Sequence, residues 1–175
     1  IKMELIEPSI AFESAFAAFY ADFAGHDPDN ANYYRAGTVD FYAYVQSLVD
    51  EALGLNTHAD YVPCSHFWLI NSEQAIIGAI RVRHSLQNDF LALEGGHIGY
   101  DIAPSFRGQG HGKAMLKLVL PRAKALGVER ALVIADEDNF ASRKVIEANG
   151  GQLEGIITGK IYNNLLARYW IDCVK

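Results

Sequence analysis

Apolar and polar residues follow one another along the chain in a pattern that predicts alternating blocks of helix and strand. A short first strand is expected over 3–6, because Pro8 follows it. Apolar residues then recur at helical spacing from Ser9 to Phe23. Turn-forming residues at 25–30 are expected to end this helix. A second amphipathic helix is expected over 39–53, with Gly54 closing it.

The second part of the chain is richer in strand patterns. A loop is expected over 54–65 and a polar, mobile link over 85–96. The other expected elements are strands at 67–70, 75–84 and 96–102, a helix at 110–126, a strand at 131–135, a helix at 139–148 capped by Asp138, and strands at 153–158 and 166–173. Pro121 lies inside a predicted helix and is expected to kink it, at a cost of roughly 3 kcal/mol. This order predicts an α+β domain with a mixed sheet, in which strands joined by a helical crossover are parallel.

Length and charge restrict the classes of protein that the chain can represent. It has 175 residues, which predicts a single domain over 1–175. The net charge of −6 argues against a nucleic-acid partner, and the sequence has no apolar run long enough to cross a membrane. Cys64 and Cys173 are too few for a disulfide framework, so free thiols and a cytoplasmic location are expected.

The charges are distributed unevenly. Residues 1–66 carry ten acidic and two basic side chains, whereas 67–175 are slightly basic. The acidic half suits a cationic partner, and the basic half suits an anionic one. The alternative is that the acids simply keep the surface soluble.

The stretch most informative about function is Arg107-Gly108-Gln109-Gly110-His111-Gly112-Lys113, between a predicted strand and a predicted helix. Glycines allow tight turns, and a helix N-terminus offers unpaired N–H groups, so the stretch predicts an anion site of the kind that binds phosphate. It is not the P-loop of nucleotide hydrolases, because Arg107 and Ala114 stand where that motif needs Gly and Ser or Thr. It is not the dinucleotide fingerprint either, because Lys113 or Met115 stands in place of the third glycine.

With these alternatives excluded, the chain resembles the GNAT superfamily of acetyl-CoA-dependent N-acetyltransferases. The segments 99–104 and 107–112 are similar to the fourth strand and the pyrophosphate loop of that family. Asn139-Phe140-Ala141-Ser142 and 147–151 are similar to its second motif. The resemblance covers 67–172. It implies a mostly antiparallel, twisted sheet with a central, splayed pair of parallel strands and helices on both faces.

The resemblance also implies how the chain would bind acetyl-CoA. Backbone groups of Ile102 and Ala103 would pair with the pantetheine arm, and the loop N–H groups would bind the pyrophosphate. Asn139 and Ser142 would contact the arm or the adenine side, and Lys113, Arg143 or Lys144 could meet the outer phosphate. The implied binding residues are Ile102, Ala103, Arg107, Gly108, Gln109, Gly110, His111, Gly112, Lys113, Asn139, Ser142 and Lys144.

The catalytic groups are less clearly defined by the resemblance. Many family members have a tyrosine as general acid at the position of Ile146. Another hydroxyl would have to serve here, with Tyr100 as the first choice and Tyr162 and Tyr169 as further candidates, or the thiolate leaves unassisted. The candidate general bases are His97 and Glu94, whereas a histidine that only holds the backbone is the structural alternative for His97.

Together these features predict an N-acetyltransferase that moves the acetyl group to a primary amine of a small molecule or peptide. Residues 1–66 are expected to lie on the acceptor side and to favour a cationic acceptor, and 67–175 to form the sheet and the cofactor-binding core. The alternatives are an acyl-CoA sensor without catalysis and an ATP-binding transferase. Arg81 and Arg83 are expected on a solvated strand face, although they could bind a carboxylate. No metal is expected, and 169–171 is a candidate contact for a homodimer.

Overall fold

The computed structural model describes residues 2–55 and 61–174. It contains a seven-stranded sheet with helices on both faces, which confirms the expected fold class. The strands are β1 (Glu4–Ile6), β2 (Cys64–Ile70), β3 (Ile76–Arg83), β4 (Ile98–Ile102), β5 (Arg130–Asp136), β6 (Gln152–Thr158) and β7 (Leu165–Asp172). The helices are α1 (Glu13–His26), α2 (Pro28–Tyr34), α3 (Ala36–Val39), α4 (Phe41–Ala52), α5 (His111–Ala125) and α6 (Phe140–Ala148).

The strands lie in the order β1-β2-β3-β4-β5-β7-β6. Neighbouring strands are antiparallel except for β4 and β5, which are parallel and register only at Ile98 and Val133. Beyond that point the two strands separate, because β4 continues to pair with β3 while β5 pairs with β7. The sheet is therefore split at its centre.

Each face of the sheet has its own apolar core. Helices α1 to α4 cover one face with an aromatic cluster in which the Phe16 ring contacts the rings of Phe41 and Trp68. Helices α5 and α6 cover the other face, where Met115 and Ile146 are completely buried. No helix in the described residues has the length and apolarity needed to span a bilayer.

The expected turn over 25–30 is wrong from Pro28 onward, because α2 begins there. Proline at the first position of a helix loses no hydrogen bond, since that N–H has no partner within the helix. The turn-forming composition of this segment thus concealed a helix start. The second predicted helix is confirmed as α4, and the Asp40 side chain caps it by accepting from the Ala43 N–H at 3.0 Å.

Three other expectations need correction. The link over 85–96 contains a π-helical turn over Leu91–Gly95, whose start is held by the Asn88 side chain accepting from the Leu91 N–H at 2.7 Å. The cap of α6 is Asn139 rather than Asp138, since Asn139 Oδ1 accepts from the Ser142 N–H at 3.1 Å. Helix α5 runs through Pro121, and the expected kink there stays a prediction.

The candidate dimer contact over 169–171 lies mostly in the core. Strand β7 has a neighbour on each side, and Tyr169 and Ile171 are almost completely buried. Only Trp170, on the opposite face, keeps partial exposure. Packing in the core explains the apolar character of this segment. A homodimer through it stays a prediction, and the burial of the segment does not support it.

Candidate active site

The split between β4 and β5 exposes backbone hydrogen-bonding groups in the middle of the sheet. The Ala103 N–H donates to the Ile77 carbonyl at 2.9 Å, and the Arg83 N–H donates to the His97 carbonyl at 2.7 Å. In an antiparallel pair these bonds occur at alternate residues, so the N–H groups of Tyr100 and Ile102 point away from β3, toward the split. A ligand lying in the split would meet the donors of an unpaired strand.

This geometry changes two predicted cofactor contacts. The Ala103 N–H is already used by Ile77, so Ala103 has no free backbone donor for a ligand. The Ile102 carbonyl accepts from Arg107 Nε at 2.9 Å. The backbone groups that remain directed into the split are the Ile102 N–H and both groups of Tyr100.

The glycine loop connects the split to the start of α5. Gly108 and Gly110 have φ angles of 73° and 84°, and a Cβ atom at either position would meet open space. Within the described residues, the N–H groups from Gly108 to Lys113 have no protein acceptor. Exposed N–H groups at a helix N-terminus form an anion site, which agrees with the sequence prediction. Lys113 is exposed beside it, and Gln109 donates to the Ser105 carbonyl at 3.3 Å.

Arg107 positions this loop and does not project freely from it. Its Nη2 lies 2.8 Å from Oδ2 of Asp27, and the guanidinium contacts the face of Phe23. The Asp22 carboxylate accepts from both the N–H and the hydroxyl of Ser105, at 2.9 and 2.8 Å. The helical layer of α1 and α2 therefore holds the loop in place. Two of its donors bond to Asp27 and Ile102, so Arg107 anchors the loop, and its contact with the cofactor stays a prediction.

A pair of hydroxyl groups bridges β4 and α6 on the α5–α6 face of the split. The Tyr100 Oη lies 2.8 Å from Oγ of Ser142, and either atom can be the donor. Burial raises the pKa of Tyr100, so its hydroxyl keeps its proton at neutral pH. Ile146, which stands where many family members have tyrosine, is fully buried in the core and carries no proton. The Tyr100–Ser142 pair thus places a protonated hydroxyl group at the split.

Other predicted residues around α6 are less directly placed. Asn139 uses its carbonyl oxygen as the helix cap, which leaves its amide N–H₂ group for a ligand. Lys144 is exposed on α6. The Arg143 guanidinium is tied to the Tyr169 hydroxyl at 3.0 Å and to the Glu137 carbonyl at 2.8 Å. The Tyr169 hydroxyl also donates to Glu147 at 2.5 Å, which commits it to α6 and removes it as a candidate acid.

His97 joins the two parallel strands at the closed end of the split. The backbone N–H of His97 donates to the Leu132 carbonyl. Its ring nitrogen Nδ1 accepts from the backbone N–H of Leu132 at 2.9 Å. Burial, with a further contribution from the Arg83 charge, lowers the pKa of His97 to about 4. The basic nitrogen is occupied and the ring is neutral, which matches the structural alternative and not the role of general base.

Glu94 lies near the end of the π-helical turn, beside the part of β5 that follows Val133 and does not pair with β4. It is only 8% exposed and lines a cavity of about 460 Å³ together with Ile134, Asp136 and Tyr162. Both carboxylate oxygens accept from the Ile161 N–H, at 3.3 and 3.2 Å. The carboxylate is thus held toward this cavity. Tyr162, the remaining candidate acid, is 71% exposed at the cavity rim and stacks edge-on with Phe90.

A second cavity, of about 710 Å³, is lined by residues of α2, α4 and β3. Arg81 and Arg83 line it, so the expectation that they form a solvated strand face is wrong. Of the acids in the described part of 1–66, which leaves out Asp60, only Glu51 is among its lining residues. The expected cationic acceptor stays a prediction. Sequence reasoning missed the cavity because α2, α4 and β3 meet only through the tertiary fold.

Glu51 also belongs to a small cluster with Cys64 and His66 at the wall of this cavity. Their ligand atoms all lie within 4.8 Å of one another, which the sequence spacing did not reveal. His66 Nε2 is 3.2 Å from Glu51 Oε1, although the angle does not form a hydrogen bond. Burial, assisted by Glu51, raises the pKa of Cys64 to about 12. A protonated thiol beside two arginines is a poor cation ligand, so the cluster does not favour a metal ion.

Comparison with known proteins decides the family. A family model described as an acetyltransferase (GNAT) domain matches residues 14–152. The chain belongs to the GNAT acetyltransferase family. The match includes the glycine loop, Tyr100 and Ser142. No curated protein sequence is significantly similar to the chain.

Solved GNAT structures share the fold at low sequence identity. The microcin C7 self-immunity acetyltransferase MccE, in complex with acetyl-CoA and AMP, aligns with a TM-score of 0.70 and 13% identity over 98% of this chain and 92% of its own. Mycobacterium smegmatis RimJ aligns with a TM-score of 0.70 and 15% identity, over 97% and 81%. A spermidine N-acetyltransferase chimera from Vibrio cholerae SpeG and hSSAT aligns with a TM-score of 0.65 and 12% identity, over 99% and 96%.

Proposed function

We propose that this GNAT protein transfers an acetyl group from acetyl-CoA to a primary amine by direct attack in a ternary complex. The observation that carries the proposal is the split between β4 and β5, which leads from a free glycine loop to the Tyr100–Ser142 pair. Structures with the same fold bind acetyl-CoA or coenzyme A, as in MccE and RimJ. Amines are the acceptors named for related structures, among them spermidine and a ribosomal protein α-amine.

The residues present fit a coenzyme A thioester. The free N–H groups from Gly108 to Lys113 match the pyrophosphate, and exposed Lys113 adds a positive charge. The Tyr100 and Ile102 backbone groups match the amides of a pantetheine arm, and the Asn139 amide and Lys144 lie further along the same path. When bound, acetyl-CoA supplies an activated acetyl carbonyl.

The amine needs a base, because an ammonium group has no lone pair for attack. We assign this role to Glu94, whose buried carboxylate lines the cavity against Ile134 and Asp136. The connection that contains Glu94 leads into β4 at Ile98, the residue at which β4 registers with β5. The Ile161 N–H holds the Glu94 carboxylate in this orientation, and the carboxylate takes the proton of the amine directly or through a water.

Charge that develops on the acetyl oxygen needs a donor in the split. The Tyr100 and Ile102 N–H groups are the backbone donors that face it. The thiolate that departs needs a proton, and the Tyr100 hydroxyl, paired with Ser142, is placed to give it. Tyr100 keeps that proton until it is needed, because burial raises its pKa.

The thiol released from acetyl-CoA in the presence of an amine panel tests the proposal. We expect thiol release that depends on the amine and an acetylated amine identified by mass spectrometry. Tight coenzyme A binding without any turnover would instead favour the acyl-CoA sensor. Stabilisation by ATP-Mg and not by coenzyme A would contradict both functions. We place the reaction in the cytoplasm because both cysteines are free thiols in the core.

A further inference from the structure

The cavity of about 710 Å³ contains a half-buried arginine, Arg83, which forms no ion pair within the part of the chain that the structure describes. Arg83 lines this cavity, and its Nη1 donates to the Gly95 and Gly96 carbonyls at 3.2 and 3.1 Å. Within residues 2–55 and 61–174, no carboxylate lies within the 4.0 Å of an ion pair from its guanidinium. Burial lowers the pKa of Arg83, which reports the cost of keeping this charge out of water.

The neighbouring arginine, Arg81, differs from Arg83 because its charge has partners. Arg81 Nη2 lies 3.6 Å from Asp101 Oδ2, and its Nη1 donates to the Tyr34 hydroxyl at 3.2 Å. The guanidinium also stacks on the Tyr33 ring at 4.1 Å from the centroid. Although burial alone lowers the pKa of Arg81, the surrounding Tyr34, Tyr33 and Asp101 outweigh it and raise the pKa. Arg81 is therefore a fixed and compensated charge, except that its buried Nε has no partner.

A buried guanidinium is stable when a planar anion accepts from its N–H groups. The Nε and Nη2 donors of Arg83 remain after Nη1 has bonded to Gly95 and Gly96, and they are not among the buried polar atoms without partners. They can therefore reach the cavity. These donors form the fork geometry that suits a carboxylate or a phosphate.

A single guanidinium without an ion-pair partner among the described residues fits a monoanion better than a dianion. Glu51 and Asp89 also line the cavity and would oppose a second negative charge. The volume lies in the range of small-molecule sites, so the occupant is the size of an amino acid or a short peptide. Tyr33 and Phe90 add aromatic walls for an apolar side chain.

The position of this charge connects it to the reaction. Arg83 bonds to the chain directly between Glu94 and His97, and its charge contributes to the lowered pKa of His97. The anion subsite and the assigned base are thus on the same short connection. From this geometry we infer that Arg83 binds a carboxylate of the amine acceptor, so that the acceptor is an amino acid or a related carboxylate-bearing amine. This inference rests on the proposed acetyltransferase function.

The experiment compares matched pairs of acceptors that differ only in the carboxylate: L-phenylalanine with phenethylamine, and L-leucine with isoamylamine. β-Alanine and O-phosphoethanolamine separate a carboxylate from a phosphate. We expect wild-type kcat/KM to favour the carboxylate member of at least one hydrocarbon pair by about 30-fold, as expected for a buried ionic contact. Arg83→Gln should remove most of this preference through KM, and Arg83→Lys should keep part of it. Arg130→Gln, at an exposed arginine paired with Asp172, is the matched control and should keep all of it.

Several outcomes would overturn the inference. They are equal or better turnover of the decarboxylated amines, an unchanged preference in Arg83→Gln, or a preference for O-phosphoethanolamine over β-alanine. Calorimetry of the L-amino acids with the coenzyme A complex provides a readout that does not need turnover. If no amine is acetylated but an amino acid binds and Arg83→Gln abolishes this binding, the acetyltransferase function fails and the carboxylate site stands. If amines without a carboxylate are acetylated best, the function stands and the carboxylate site fails.

Discussion

The Tyr100 hydroxyl lies 2.8 Å from Oγ of Ser142, which joins β4 to α6 across the split in the sheet. The two residues are far apart in sequence, and the parallel arrangement of β4 and β5 brings them together. Ile146 is fully buried one helical turn further along α6. In the proposed reaction, the hydroxyl pair supplies the acid that Ile146 cannot provide.

Replacing Tyr100 with phenylalanine tests this role, because the ring is kept and only the hydroxyl is lost. We expect kcat to fall about 100-fold, as is typical when a general acid is removed, with little change in the affinity for acetyl-CoA. Ser142→Ala should have a smaller effect of about 5-fold, since it removes one neutral hydrogen bond. Steady-state thiol release measures both. Equal activity of Tyr100→Phe and wild type would show that the thiolate leaves unassisted.

Glu94 is expected to act as the base, and Glu94→Gln keeps its shape and its ability to accept from the Ile161 N–H. We expect kcat with amine to fall about 100-fold or more, because the amide cannot take a proton. A more basic medium should restore part of the rate, since more of the amine is then neutral. Glu147→Gln, at an exposed acid on α6, serves as a control for charge, because the amide oxygen can still accept from the Tyr169 hydroxyl. A Glu94→Gln enzyme with normal kcat at neutral pH would exclude this assignment.

His97 should make stability depend on pH. Its folded pKa of about 4 lies below the ordinary value of 6.5, so the unfolded chain binds the proton first. The stabilising contribution is complete above about pH 6.5 and is lost as the pH falls toward 4. Because the His97 ring keeps partial access to solvent, we expect the free energy of unfolding to fall by about 2 kcal/mol over this pH range, which is less than the full pKa shift would give.

Urea unfolding at several pH values measures this effect, and His97→Asn provides the comparison because its amide oxygen can accept from the Leu132 N–H. We expect the difference in unfolding free energy between wild type and His97→Asn to change across this pH window. A constant difference would mean that His97 does not titrate as the contact with Leu132 requires.

A substitution at Gly110 tests whether the backbone of the glycine loop binds acetyl-CoA. The Gly110 φ of 84° is unfavourable for a β-branched residue, although the space around a Cβ is open. Gly110→Val should therefore change the loop backbone and weaken acetyl-CoA binding about 10-fold in calorimetry. Gly25→Ala is the control, because Gly25 also has open space around it but lies in α1 without a positive φ. Weakening by both variants to the same extent would count against a specific role of the loop.

The sequence was most informative where function depends on neighbouring residues. The glycine loop, the strand before it and the Asn139 motif are local patterns, and they predicted the fold class and the family. The Asn139 cap shows the limit of local patterns, since Asp138 and Asn139 are both good caps and only the backbone decides between them.

Contacts between distant segments could not be predicted in this way. Arg107 and Asp27 are separated by 80 residues, and His97 and Leu132 by 35. No periodic pattern records which residue will lie opposite another after folding. The arginines of β3 illustrate the same point, because alternation correctly placed them on one face but did not reveal that helices α2 and α4 cover that face.

The most direct test of cofactor binding in the split is a titration of ¹⁵N-labelled protein with coenzyme A, followed by backbone amide NMR. We expect the largest shift changes at the N–H groups from Gly108 to Lys113 and at those of Tyr100 and Ile102, which have no protein acceptor or face the split. Changes confined to other surfaces, or no saturable change at these amides, would contradict the account.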